Sequence, residues 1–187
     1  MTKFRTLHED EIECRVSRCS EYGANILLYK TARTDMDLLD ETVGPENWQD
    51  DYKEIKGNLY CGIGIRDKDD KWIWKWNCGI ESRADGDGNE KKGEASDAFK
   101  RAGTCVGIGR ELYTAPEIFV PAAKVSEIKQ KPYKDKYGNQ KAQYAVYDHF
   151  FVERISYDEN RRINGLALRN EKTGKRCFVW QNSSSEK

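Results

Sequence analysis

The sequence predicts an α+β fold: a β-β-β-α core in which an antiparallel sheet packs on one long helix, followed by a C-terminal β-meander extension. Three observations carry this. Three strand-like runs between Trp48 and Ile80 are separated by short turn signals. A run of small apolar residues at helical spacing begins at Glu94, and alternating segments from Tyr144 to Trp180 are punctuated by polar turns.

A chain of 187 residues is long enough to bury a full core. The expected organisation is a core over 1–120, a basic linker over 121–143, and a meander with a tail over 144–187. No apolar run approaches the length of about 18 residues that a membrane helix needs, and Met1-Thr2-Lys3-Phe4-Arg5 shows no signal-peptide pattern. A soluble, cytoplasmic protein is expected.

Residues 5–15, with Leu7, Ile12 and the cluster Glu9-Asp10-Glu11-Glu13, read as a short acidic helix or arm. Ala24 to Tyr29 reads as a strand. A helix follows, capped by Thr34 with Asp35 and Asp37 in its first turn, apolar through Met36, Leu38, Leu39 and Val43, and stopped by Gly44-Pro45. The first core strand runs from Trp48 to Lys56 and turns at Gly57-Asn58. The second, Leu59 to Arg66, puts apolar residues on one face and glycines on the other. The third, Lys71 to Ile80, puts Trp72, Trp74 and Trp76 on one face and Ile73, Lys75 and Asn77 on the other. Such rings serve as stacking platforms for unpaired bases or as core and subunit contacts.

The helix from Glu94 to Tyr113 is the centre of the chain. Glu94 and Asp97 stand in its first turn, where the macrodipole favours negative charge, and Ala95, Ala98, Phe99 and Ala102 form a buried stripe. Gly103, Gly107 and Gly109 each cost a helix about 1 kcal/mol, which points to the close approach of another backbone or a ligand. Lys100 and Arg101 stand side by side on the neighbouring face, with Arg110 further along.

The formal charge is zero, but it is unevenly spread. Residues 1–57 hold 8 Lys/Arg against 13 Asp/Glu, residues 58–116 hold 10 of each, and residues 117–187 hold 14 against 9. That gradient suits head-to-tail attraction between subunits, or a basic tail on an acidic body. Much of the basic excess lies in 124–143, where Lys124, Lys129, Lys131, Lys134, Lys136 and Lys141 flank Tyr133 and Tyr137. This stretch is either an electrostatic collector for single strands or a solvated linker. The six cysteines include no Cys-x-x-Cys pair, so neither disulfides nor a metal site are expected. Asp85-Gly86-Asp87-Gly88-Asn89 imitates a calcium loop, but Glu90 stands where glycine is needed and Ser96 where the bidentate glutamate belongs.

The run Glu94-Ala-Ser-Asp-Ala-Phe-Lys-Arg-Ala, followed by Gly107-Ile-Gly109 and Leu112-Tyr113, resembles the signature helix of the Rad fifty-two-like single-strand annealing proteins, especially their phage-encoded branch. Upstream, Leu28-Tyr29-Lys30-Thr31-Ala32-Arg33, Leu38-Leu39-Asp40-Glu41 and Val43-Gly44-Pro45-Glu46-Asn47-Trp48 resemble that family's first helix and its Gly-x-x-x-Trp exit. The resemblance covers about residues 16–116. It implies a ring- or filament-forming homo-oligomer that binds single-stranded DNA and anneals complementary strands in recombination and repair. ATP, metal and catalytic residues would not be required, and a single-strand-binding protein is a further partner.

On this resemblance Lys100 and Arg101 match the family's basic pair. Arg33 matches the arginine before the first helix, although its distance to Trp48 is one residue longer than in the eukaryotic members. Where those members carry a further basic residue, Thr104 stands here, so other DNA contacts are sought at Lys30, Lys91, Lys92, Arg110, Lys75 and Trp74. Two other function classes remain. A metal-dependent nuclease would use Asp85, Asp87, Glu90 and Lys91, and a structural or partner-binding module would use Lys100 and Arg101 only for salt bridges.

Overall fold

The computed structural model describes residues 3–80, 89–134 and 137–182, without the side chains of 89–92. The chain is mixed α+β with antiparallel sheets, and it divides into two compact units. Residues 1–6 and 30–110 form the first unit, and residues 7–29 and 111–187 form the second. The expected boundary at residue 120 therefore falls inside the second unit, because the early strands pair with the late ones.

The first unit opens with helix α1, Ala32–Val43. Its N-cap is Thr31, whose hydroxyl accepts from the Thr34 amide at 3.2 Å, so the cap lies one turn before the expected Thr34. Gly44 ends it at φ 86°, a conformation that side chains disfavour. A sheet then forms in the order β3 (Trp48–Ile55), β4 (Asn58–Arg66), β5 (Trp72–Cys78). The first hairpin turns on Lys56 and Gly57, at φ 54° and 75°, rather than on Gly57-Asn58. Two successive positive φ values match the right-handed strand twist.

Helix α2 spans Asn89–Val106. It starts before Gly93, which was expected to precede it, and stops before Gly107, at φ 120°. The Gly107 and Ile108 amides both donate to the Gly103 carbonyl, closing the last turn. Gly107 thus ends the helix, and Gly109, at φ 68°, lies beyond it rather than in its interior. Phe4, Leu38, Leu39, Cys61, Ile63, Ala98, Phe99, Ala102 and Ile108 are buried apolar residues of this unit.

In the second unit the expected acidic arm is a single 3-10 turn, Glu9–Glu11, leading into strand β1, Glu13–Ser20. Strands β2 (Gly23–Tyr29), β6 (Ile118–Pro121), β9 (Phe150–Tyr157), β10 (Ile163–Asn170) and β11 (Lys175–Gln181) complete a six-stranded sheet in the order β11-β10-β9-β1-β2-β6. Its edge strands β11 and β6 approach each other, so the sheet is nearly a closed barrel. The expected meander is β9-β10-β11, joined to the N-terminal strands through β1.

The stretch expected as a basic linker instead contains a separate hairpin, β7 (Lys129–Lys134) with β8 (Gln140–Ala145). All six cysteines are free thiols. No helix is long and apolar enough to cross a membrane among the described residues.

Candidate nucleic-acid interface

The register of β3-β4-β5 sorts the unit's side chains onto two faces. Cys61, Ile63 and Ile65 pair with Asn77, Lys75 and Ile73, and this is the face that α2 covers. Two carboxylates near the start of α2 fasten it there. Glu94 accepts from the Leu59 amide at 3.2 Å and Asp97 from the Ile80 amide at 3.0 Å. Trp48 meets Phe99 of α2 edge-on at 6.2 Å, while its indole N–H donates to Asp40 of α1 at 2.6 Å.

At Gly103, α2 packs tightly against Asp35 of α1. A Cβ there would stand 2.4 Å from Asp35 Oδ2. Asp35 is fully buried, and the Lys30 ammonium donates to its Oδ2 at 2.5 Å and to the Lys100 carbonyl at 3.0 Å. Burial pushes the Asp35 carboxyl up to about 6, against the opposing pull of Lys30 and Lys100. Among the described residues, Asp35 Oδ1 has no hydrogen-bond partner.

The expected DNA contacts are therefore placed differently from one another. Lys30 is buried, with its charge engaged by Asp35 inside the unit rather than presented to solvent. Lys100 is half-buried beside that pair, and Arg101 pairs with Asp97 at 2.7 Å while its side chain stays 41% exposed. Arg33 is exposed in the first turn of α1. Arg110 caps α2 by donating to the Thr104 and Cys105 carbonyls at 2.8 and 2.7 Å. Lys75 is exposed on the helix side, and Trp74 lies on the opposite side of the sheet. Lys91 and Lys92 lie in α2, but their side chains fall outside the described residues, as do Asp85, Asp87 and the Glu90 side chain.

The tryptophan side carries three half-exposed rings. Trp76 pairs with Gly62 and Trp74 with Gly64 across the β4-β5 ladder. A Cβ on Gly62 would meet three fused-ring atoms of Trp76 at 2.5–2.7 Å, and one on Gly64 three of Trp74 at 2.9–3.0 Å. Near-equal distances to the fused bond mean that each indole lies flat on its glycine. The two rings stack at 5.6 Å and 25°.

Cations lie over two of these rings. Lys53 Nζ sits 4.2 Å from the Trp76 ring and the Arg66 guanidinium 5.0 Å from the Trp72 ring. Asp51 and Asp70 in turn pair with Lys53 at 3.4 Å and Arg66 at 3.2 Å. Lys53, Arg66 and the two glycines were not among the expected site residues. The alternation of β4 hinted at them, since glycines facing tryptophans across a ladder leave room for flat rings.

No family model, no curated protein and no solved structure matches this chain. Among the described residues, no group of three or more His, Cys, Asp and Glu side chains is arranged to hold a metal ion.

Proposed function

We propose that this protein binds single-stranded DNA and anneals complementary strands as a homo-oligomeric ring or filament, without nucleotide or metal. It acts in recombination and repair in the cytoplasm of a bacterial host, in the manner of the phage-encoded Rad fifty-two-like annealing proteins that its sequence resembles. It is a binding protein, not an enzyme.

The observation that carries this reading is the tryptophan row. Trp72, Trp74 and Trp76 stand at every second position of one strand, their Cα atoms about 7 Å apart at roughly 3.4 Å per residue, and the Trp74 and Trp76 rings stack at 5.6 Å. Two of the rings are held flat by glycines, and Lys53 and Arg66 lie over the Trp76 and Trp72 rings. Rigid aromatic faces beside cations suit an extended polyanion with unstacked bases, where stacking contributes about 1–3 kcal/mol per base. Lys100, Arg101 and Arg33 add positive charge on the helical side of the same unit. Each phosphate that a cation neutralises steepens the salt dependence of single-strand binding by about 0.7 on a log–log scale.

The test is annealing of two complementary labelled strands, without nucleotide or metal, by the wild type and by Lys100→Ala/Arg101→Ala, with oligomer size measured alongside. Loss of annealing at unchanged size is expected of the variant, and a wild type that anneals nothing would overturn the reading. The Arg101–Asp97 ion pair favours one alternative, in which the basic pair is structural. That alternative holds if the double variant keeps its oligonucleotide affinity and salt slope while its thermal stability falls.

A further inference from the structure

The packing of α2 on α1 leaves one buried charge half satisfied. Asp35 stands in the first turn of α1 and is fully buried. The Lys30 ammonium takes its Oδ2, while Oδ1 has no hydrogen-bond partner among the described residues. A buried acceptor without a donor carries the full penalty of its lost hydration, and a carboxylate oxygen carries more than a neutral one. Lys100 is placed to supply the donor. It precedes Gly103 by three residues, a spacing that puts both on one face of α2, and Gly103 is the residue that abuts Asp35.

The Lys100 carbonyl accepts from the Lys30 ammonium at 3.0 Å and from the Thr104 hydroxyl at 3.1 Å, which anchors the root of the side chain beside the buried pair. Lys100 is half-buried, and its charge already acts on the Asp35 carboxyl. In the structure its ammonium does not reach Oδ1. It rides on a flexible four-carbon stem, so a turn of that stem changes what it meets.

From this arrangement we infer that Lys100 has two seats, an inner one on Asp35 Oδ1 and an outer one on a phosphate of a bound strand, so that Asp35 is an internal counter-ion competing with DNA for this cation. The inference rests on the single-strand reading above and adds its regulation. Lys30 and Lys100 share one carboxylate, and Lys30 holds the better-satisfied oxygen. Any change of charge at Asp35 or Lys30 therefore changes the hold on Lys100. A phosphate has to draw Lys100 off Asp35, and the apparent affinity is scaled by the fraction of time that the cation is turned outward. A grip of this kind is reversible, because the carboxylate stands ready to take the ammonium back.

Two variants that break the same buried pair separate this role from a structural one. Asp35→Asn removes the counter-ion, so Lys100 turns outward; Lys30→Met leaves the carboxylate to Lys100 alone, so Lys100 turns inward. The first readout needs no DNA: trace acetylation of lysine amines in full-length protein, quantified by mass spectrometry at Lys100 against the exposed Lys75. Lys100 labelling should rise about threefold in Asp35→Asn and fall by about the same factor in Lys30→Met. Affinity for an unstructured oligonucleotide at low salt should follow, stronger in the first variant and weaker in the second, by about fivefold or less. Lys30→Met/Asp35→Ala, which leaves no orphaned charge, should label and bind like Asp35→Asn, and it decides the matter if a single variant unfolds. A structural role predicts that both single variants move Lys100 labelling in one direction as thermal stability falls, and that result overturns the inference. Lys100 labelling that is indifferent to Asp35 overturns it as well. If the wild type ignores single strands while labelling moves in opposite directions, the annealing proposal fails and the two-seat lysine stands.

Discussion

Gly103 lies hard against Asp35 of α1, and replacing it with alanine asks whether that closeness is required. On helix propensity alone the change should stabilise by about 1 kcal/mol. The added methyl carbon would stand 2.4 Å from Asp35 Oδ2, 2.9 Å from its Cγ and 3.4 Å from Lys30 Nζ. Asp35 is fully buried, rooted in α1, and held by Lys30, so it has no open space to retreat into. Overpacking of this kind costs about 1–3 kcal/mol, and breaking a buried ion pair outright costs roughly 3–5. With the pair loosened rather than deleted, the net expectation for Gly103→Ala is a loss of about 1–3 kcal/mol. Urea unfolding followed by tryptophan fluorescence reads this well, because Trp48, Trp72, Trp74 and Trp76 lie in the first unit and Trp180 in the second. In a Lys30→Met/Asp35→Ala background the sign should reverse, leaving the gain of up to about 1 kcal/mol that propensity confers. Stabilisation by Gly103→Ala in the otherwise native protein would refute the packing argument.

Glu153 supplies a pH test in the second unit. Hydrogen bonds from Arg176 and Arg169 hold its carboxyl down at about 2, from an ordinary value of 4.5. A depressed folded-state value contributes stability that is complete above 4.5 and is lost as pH falls through about 2, so Glu153→Gln should remove that part of the acid sensitivity. Amide exchange of β9, β10 and β11 between pH 5 and 2 checks it, and an unchanged profile would speak against the pairing. Gly64→Ala should lift the Trp74 ring from its seat, shifting its emission and weakening quenching by a bound oligonucleotide; unaltered emission would contradict the flat packing. Lys56→Asn should stabilise the β3-β4 turn by a few tenths of a kcal/mol to about 1, since asparagine tolerates φ 54° better than lysine, and a fall in the thermal midpoint would count against that turn geometry.

Local chemistry was legible where one residue sufficed to decide a feature. Gly44-Pro45 stops α1 as expected, and the β3-β4-β5-α2 order follows from period and turn signals. The errors lie where two neighbours could serve the same role. Thr31 and Thr34 are both plausible caps, and only the Thr31 hydroxyl meets an amide. Gly57 can share its turn with Lys56 or Asn58, and the ladder pairing of Ile55 with Asn58 settles it. Gly93 read as a breaker because its entropic cost is local, but the helix runs through it to Asn89. β1 was hidden because its acidic start resembles a helix N-terminus, and its partners β2 and β9 differ greatly in sequence distance.

The candidate site divides along the same line. A list of lysines and arginines states how much positive charge the chain carries, but only tertiary pairing decides how much reaches a polyanion. Lys30 and Asp35 are five residues apart, a spacing that does not announce a buried pair, yet they neutralise each other beneath Lys100. Arg110 was legible as a cation and turns out to close the end of α2. The tryptophan row survives translation into three dimensions better, because alternation along a strand is a local property that the sheet preserves. What it lacked in sequence was its seat, which depends on Gly62 and Gly64 arriving opposite Trp76 and Trp74 in the β4-β5 register. Flat aromatic faces fixed by backbone contact keep their geometry whatever the salt concentration, whereas cations already held by Asp97, Asp51 and Asp70 must exchange partners before they meet a phosphate. Affinity for unpaired bases should accordingly retain a salt-insensitive part from stacking, beneath a salt-sensitive part smaller than the count of cations in this unit implies.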